Sequence, residues 1–337
     1  MRHLIYLFLA VQLLATASIV CAEGTLIGYG VELEGFPYPY AVGHFRFVSQ
    51  GQDLQMSYMD VPAKERPNGH TVVLMHGKNF CGATWEATIS VLADAGYRVV
   101  VPDQIGFCAS TKPAHYQYSF QQLASNTMIL LKHLGVSRST LIGHSTGGML
   151  ATRFALMYPE AVEKLVMVNP IGLEDWKALG VPSRTVDQWY ERELKLSADG
   201  VRQYEKSVYY GGRWKAEYNR WVDMLAGLNQ GPGHKLVAWN SALIYDMIFT
   251  QPVVYEFPLL KVPTTLMLGD ADTTAIGSDV ASPEVKAKIG RYKLLGKQVI
   301  KTIPNGRLIE FPGFGHAPQT EDPAMFHKAL LNELATR

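Results

Sequence analysis

The sequence predicts an α/β fold, a mainly parallel sheet with helices on both faces and a helical block inserted over one end. Two observations predict it. Short apolar runs alternate with helix-spaced segments from residue 71 to residue 170, the pattern of buried parallel strands joined by crossover helices. The alternation stops over roughly residues 173–257, where helical spacing continues without a buried-strand run, and resumes at 264.

The elements follow in order. After a Gly/Pro/Tyr-rich lead (24–40), "HFRFVSQGQDLQMSYMDV" alternates apolar and polar residues on both sides of Ser49-Gln50-Gly51-Gln52. That reads as an antiparallel hairpin. "TVVLMHG" (71–77) is a buried strand stopped by Gly77, "WEATISVLADAGY" (85–97) a helix ending near Gly96, and "RVVVPDQ" (98–104) a second buried strand. A helix over 119–136, a strand over 139–145, a helix over 147–159 and a strand over 162–170 continue the series. The 173–257 block is rich in aromatics, among them Trp176, Trp189, Tyr204, Tyr209 and Tyr245. Placed over strand ends it forms a lid where such sheets bind ligands. Strand character returns within "TTLMLGDAD" (264–272) and "GRLIEFPGFGH" (306–316), and a helix at 322–335 closes the chain.

The net charge of +1, without a basic stripe or acidic tail, speaks against a nucleic-acid partner. The first 22 residues stand apart: a basic start, an apolar run from Leu4 to Val20, then Val20-Cys21-Ala22. These are the marks of a secretory leader cleaved after Ala22, leaving no membrane span. The alternative is an uncleaved membrane anchor, but Gln12, Thr16 and Ser18 dilute a run already short for a span. The mature chain keeps two cysteines, Cys81 and Cys108. Two thiols cannot complete a thiolate metal site; in an oxidising compartment a pair tends to bridge.

Gly143-His144-Ser145-Thr146-Gly147 lies between a predicted strand and a predicted helix. A serine on so tight a turn needs neighbours without side chains two positions away, and the strain aims its Oγ out of the sheet. A hydroxyl needs a base to become nucleophilic. Of ten histidines, His316 has the fitting context, a glycine-rich loop just past the last strand. His144 is expected to turn its ring away from its neighbour, and His76 to order a loop. The imidazole needs a carboxylate. Asp272, three residues after Gly269 and past the strand end, fits better than Asp270; after the preceding strand the position holds Asn169. The backbone N–H of Thr146 at the helix start and that of Lys78 after Gly77 are the candidate oxyanion donors, with the Lys78 side chain left to solvent.

These residues, with "LMHGKNF", "VPDQIGFCASTKP", "VNPIGLEDW", "LGDAD" and "GHAPQTEDP", make the chain resemble the α/β-hydrolase superfamily, the serine-nucleophile branch with a helical cap. The resemblance spans about residues 41–335. It implies an eight-stranded sheet, core segments 23–172 and 258–337, a cap over 173–257, no cofactor or metal, and a Ser145–Asp272–His316 triad. It also puts Cys81 and Cys108 in neighbouring loops at the active end, where a disulfide would brace the oxyanion loop. The implied chemistry is hydrolysis or acyl transfer by that triad, with a carboxylic ester of a small molecule as the expected substrate; the aromatic cap suggests an apolar or mid-sized acyl or alcohol group. Acyl transfer, C–C, lactone or amide hydrolysis and a non-catalytic ligand-binding role are the alternatives. A serine nucleophile argues against epoxide hydrolysis and dehalogenation. Arg184, Arg192 and Lys195 in the cap could contact a carboxylate, but read rather as a solvated helix face.

Overall fold

The computed structural model describes residues 28–336; the expected leader lies outside them. Eight strands form one sheet: β1 (Val42–Ser49), β2 (Gln52–Val61), β3 (Thr71–Met75), β4 (Arg98–Pro102), β5 (Ser139–His144), β6 (Val162–Val168), β7 (Thr264–Gly269) and β8 (Gly306–Phe311). Their order is β1-β2-β4-β3-β5-β6-β7-β8. β1 and β2 form the expected hairpin, with Ser49 opposite Gln52. Gln50 and Gly51 both have positive φ, 50° and 70°, as the tightest hairpin turns require. β2 joins β4 antiparallel, and the remaining pairs are parallel.

The apolar strands are buried on both faces, and alternate residues serve opposite cores. Val73, Met75, Leu141, Leu165 and Leu266 pack with α2 (Phe120–His133) and α3 (Thr146–Met157). Val72, Leu74, Ile142, Val166 and Met267 pack on the other side with α1 (Glu86–Asp94) and the closing helix Pro323–Ala335. This is the period-two signature of strands without a solvent face. Two helix starts on opposite faces of the sheet carry side-chain caps. Ser119 accepts from Gln122 N–H at 3.0 Å, and Asp322 from Met325 N–H at 3.0 Å.

Between β6 and β7 the described residues hold no strand. The principal helices there are α4 (Val186–Glu193), α5 (Ala198–Tyr204), α6 (Asn219–Gln230) and α7 (His234–Thr250), with a π-turn at Glu205–Tyr209. They form the helical cap. No helix among the described residues is long and apolar enough to cross a membrane.

Strand order reverses at β3, which lies between β4 and β5. The crevice at such a switch point, beyond the carboxyl ends of the strands, is where open α/β sheets bind ligands. The loops after β3 and β5 meet there. A disulfide joins Cys81, after β3, to Cys108, after β4, with Cα atoms 5.7 Å apart. It closes a loop of 27 residues' separation, which should stabilise the fold by roughly 3–4 kcal/mol through the unfolded state. Replacing both cysteines by serine is expected to lower the urea midpoint, with the extrapolated free energy of unfolding falling by about that amount and the m-value rising as the unfolded chain expands. An unchanged midpoint would contradict a bridge that constrains the chain.

Candidate active site

Ser145 is the residue between β5 and α3. Its φ of 56° and ψ of −122° are strained for any residue with a side chain. The glycines explain why the turn can be so tight. A Cβ on Gly147 would stand 2.2 Å from the Met75 carbonyl oxygen, and one on Gly143 2.2 Å from that of Gly147. Neither contact is physically allowed, so α3 reaches β3 and β5 only with glycine at both places.

The candidate oxyanion donors are oriented by the carbonyls of their own peptide units. The Ser145 carbonyl accepts from Gly148 N–H at 2.9 Å and Ile171 N–H at 3.3 Å. The Gly77 carbonyl accepts from Phe80 N–H at 3.1 Å and the His76 Nδ1–H at 2.9 Å. No peptide bond here is cis. In a trans peptide the N–H points opposite the C=O, so Thr146 N–H and Lys78 N–H are turned away from those partners. Neither has an acceptor among the described residues. A Cβ on Gly77 would lie 2.8 Å from Ser145 Cβ, so the Lys78 loop abuts the serine.

His76 orders this loop, as its position suggested. Its Nε2 accepts from Gln104 N–H at 3.1 Å, which fixes the tautomer with the proton on Nδ1. Burial lowers its pKa.

His316 is fully buried and held at almost every polar atom. Its Nδ1 meets Asp272 Oδ2 at 2.7 Å. Its backbone N–H donates to the Tyr209 carbonyl at 2.9 Å, and its own carbonyl accepts from His144 Nε2–H at 2.8 Å. The Tyr209 ring stacks on the imidazole with centroids 4.7 Å apart. The one atom left over is Nε2, buried and without a hydrogen bond among the described residues. No hydrogen bond joins Nε2 to Ser145 Oγ; such contacts commonly tighten only with substrate present. The His144 ring therefore does more than turn away from Ser145, because it ties the elbow to the histidine loop. Burial, then neighbouring His316, holds its pKa well below the ordinary value.

Asp272 is the carboxylate that meets His316. Its Oδ1 accepts from Thr274 N–H and Oγ1–H at 2.8 and 2.7 Å, and its Oδ2 also accepts from Asn169 Nδ2–H at 2.9 Å. Asp270 points elsewhere, accepting from Gly313 N–H at 2.6 Å. Asn169, noted in the sequence only as a place without an acid, proves to be a brace: its Oδ1 also accepts from Gly269 N–H at 2.9 Å.

The expectation for the Lys78 side chain is corrected. It is not in solvent: its Nζ pairs with Glu193 Oε2 of α4 at 2.7 Å, the two side chains 10% and 2% exposed, and lies 3.9 Å from the Tyr245 ring centroid. Burial of an unpaired ammonium or carboxylate is costly, so each needs the other. Asn79 Nδ2–H donates to Tyr209 OH at 2.9 Å. Sequence reasoning missed Glu193, Asn79 and Tyr209, since nothing local ties a cap residue to a loop more than 100 positions away. The close approach of Tyr209 has one trace: a Cβ on Gly315 would stand 2.1 Å from the Tyr209 carbonyl oxygen.

Among the described residues, one group has the donor types and spacing of a metal site, Cys81, Asp103 and Cys108. Its sulfurs are bonded to each other, and Asp103 accepts from Gly82 N–H, Ala109 N–H and Tyr38 OH. Those donors are occupied.

Comparisons with known proteins agree with this architecture. A family model described as alpha/beta hydrolase fold matches residues 70–323. The chain is 61% identical to a probable hydrolytic enzyme from Pseudomonas aeruginosa PAO1 with a crystal structure at TM-score 0.91, covering 92% of this chain and 99% of that one. RutD of Serratia proteamaculans, named provisionally as a carbamate hydrolase, is 28% identical over 287 residues, 82% of this chain and 95% of that protein. A haloalkane dehalogenase from Mycolicibacterium paratuberculosis is 34% identical over 141 residues, 41% of this chain and 44% of that protein.

The π-turn that delivers Tyr209 also buries Glu205, whose Oε2 has no partner among the described residues. Burial pushes this carboxyl up to about 8, against an ordinary 4.5. Between those values the folded chain keeps a proton that the unfolded chain releases, so this group's contribution to stability is present below pH 4.5 and is lost as pH rises toward 8. Glu205→Gln should remove that loss. The drop in melting temperature from pH 5 to pH 9 is expected to be smaller in the variant, and equal drops would contradict a protonated Glu205.

Proposed function

We propose that this chain, which belongs to the α/β-hydrolase fold family, is an exported serine hydrolase cleaving a carboxylic ester or related acyl bond through an acyl-enzyme on Ser145. The observation that carries the reading is the state of His316. Asp272, Tyr209 and His144 hold it and leave only Nε2 for chemistry, while His144 ties its loop to the strained elbow that carries Ser145.

In this mechanism Ser145 Oγ attacks the acyl carbon while its proton passes to His316 Nε2. Asp272 accepts the Nδ1–H bond and stabilises the imidazolium. The two turned-out amides, Lys78 and Thr146, donate to the oxygen as it gains charge; one such donor is worth roughly 2.7–4 kcal/mol of barrier. The leaving alkoxide takes the proton from Nε2. Water then gives a proton to Nε2 and attacks the acyl-enzyme, and the acid product departs as Oγ regains its proton.

A hydroxyl nucleophile favours acyl transfer to water over displacement at an alkyl halide, the activity named for one partial relative. Export is supported by the leader-like start of the sequence and by the Cys81–Cys108 bridge, which persists in oxidising compartments. Ser145→Ala is expected to lose turnover of short p-nitrophenyl esters on the order of 10⁴-fold or more while keeping its circular dichroism spectrum. Retained turnover in the folded variant would refute the assignment.

A further inference from the structure

Arg184, Arg192 and Lys195 read in the sequence as one solvated face, and the structure separates them. Arg184 donates twice to Asp279, at 2.9 and 2.6 Å. Lys195 is exposed. Arg192 is half-buried, and its guanidinium has no hydrogen bond or ion pair among the described residues. Its guanidinium lies near the rings of Tyr245 and Trp189, at 5.1 and 5.5 Å from their centroids. Ring faces attract the cation but satisfy few of its five N–H donors.

Arg192 lines a cavity of about 300 Å³ between the cap and the loop after β3, together with Lys78, Asn79, Glu193, Tyr204 and Tyr245. The cavity lies next to the candidate site. Lys78 follows Gly77, which abuts Ser145. The Tyr204 ring meets the edge of Tyr209, centroids 5.2 Å apart, and Tyr209 stacks on His316. The charged residues lining it are Lys78, Arg192, Lys195 and Glu193. Lys78 and Glu193 neutralise each other at 2.7 Å, and Lys195 is hydrated. Glu193 and Asp279 act on the Arg192 charge only through space, so its guanidinium is the cationic group lining the cavity that no carboxylate binds directly.

We propose that this cavity receives a carboxylate at the far end of the substrate, so that the preferred substrates are half-esters of dicarboxylic acids. Arg192 would bind the carboxylate in a two-pronged contact, which its planar fork matches and an ammonium does not. The ester carbonyl would then face Ser145. The inference rests on the ester-hydrolase reading and changes its substrate class, from the apolar acyl group expected of an aromatic cap to an acid-ended one.

Binding tests it apart from turnover. The Ser145→Ala protein is titrated calorimetrically at pH 7 with the monomethyl esters of succinic, glutaric and adipic acid, each paired with its dimethyl ester. At least one half-ester is expected to bind about tenfold or more tightly than its diester. Arg192→Gln should abolish that preference and leave diester binding within about twofold. No preference in any pair, or a preference that survives Arg192→Gln, would overturn the proposal. If Arg192→Gln does not fold, phenylglyoxal labelling of the unmutated cap decides. The half-ester should protect Arg192 and leave Arg184 labelled as before; unchanged labelling of Arg192 would overturn the proposal. Half-esters bound with preference yet not hydrolysed by the wild-type chain would refute the ester reading alone.

Discussion

The geometry of the site depends on one steric constraint, the absence of side chains where α3 closes on β3 and β5. The Met75 and Gly147 carbonyl oxygens occupy the positions where a Cβ on Gly147 or Gly143 would go. That approach holds Ser145 at positive φ, turns the Ser145 carbonyl to Gly148 and Ile171, and so sends the Thr146 N–H the other way. The free energy stored in the strained serine is offset by the packing of apolar strands around it, Leu141 and Ile142 among them, both fully buried. The loop after β3 repeats the logic with different parts. Gly77's carbonyl is bound by His76 and Phe80, and Lys78's amide is exposed as a result. A pair of preorganised donors thus arises from carbonyls whose own bonds point elsewhere.

The cap completes this arrangement. Tyr209 contributes a carbonyl, a ring and a hydroxyl to three different contacts, with His316 N–H, the imidazole face and Asn79. Glu193 neutralises Lys78 in the loop after β3. Cap and core are therefore coupled at the two places where reactivity would be set, the base and the donor loop. A cap that shifted would disturb both together, which gives a physical route from substrate binding in the cap to alignment below it.

Much of this was legible in the sequence because the governing constraints are local. Buried strands write continuous apolar runs, the β1–β2 turn writes Gln50-Gly51, and the elbow writes two glycines flanking a serine. Asp272 and His316 were legible from their places after strands, where chain direction delivers them to one edge of the sheet. What escaped was non-local. Lys78 beside a strand end looks like any surface lysine until Glu193, 115 positions away, is folded onto it. Arg192 looks like one of three equivalent basic residues until Arg184 alone hydrogen-bonds to Asp279. Tyr209 depends on a π-turn, and a single extra residue in a helical turn leaves no mark on a 3.6-residue pattern.

The central claim is that strain and preorganised donors make the hydroxyl of residue 145 uniquely reactive. The most direct measurement is intact-mass and peptide mapping after treatment with a fluorophosphonate, which reports covalent capture without assuming any substrate. The account predicts one adduct per chain, on the peptide containing Ser145, and slower capture when Asn169→Ala loosens Asp272. No adduct on the folded chain, or an adduct on another residue at comparable rate, would contradict it.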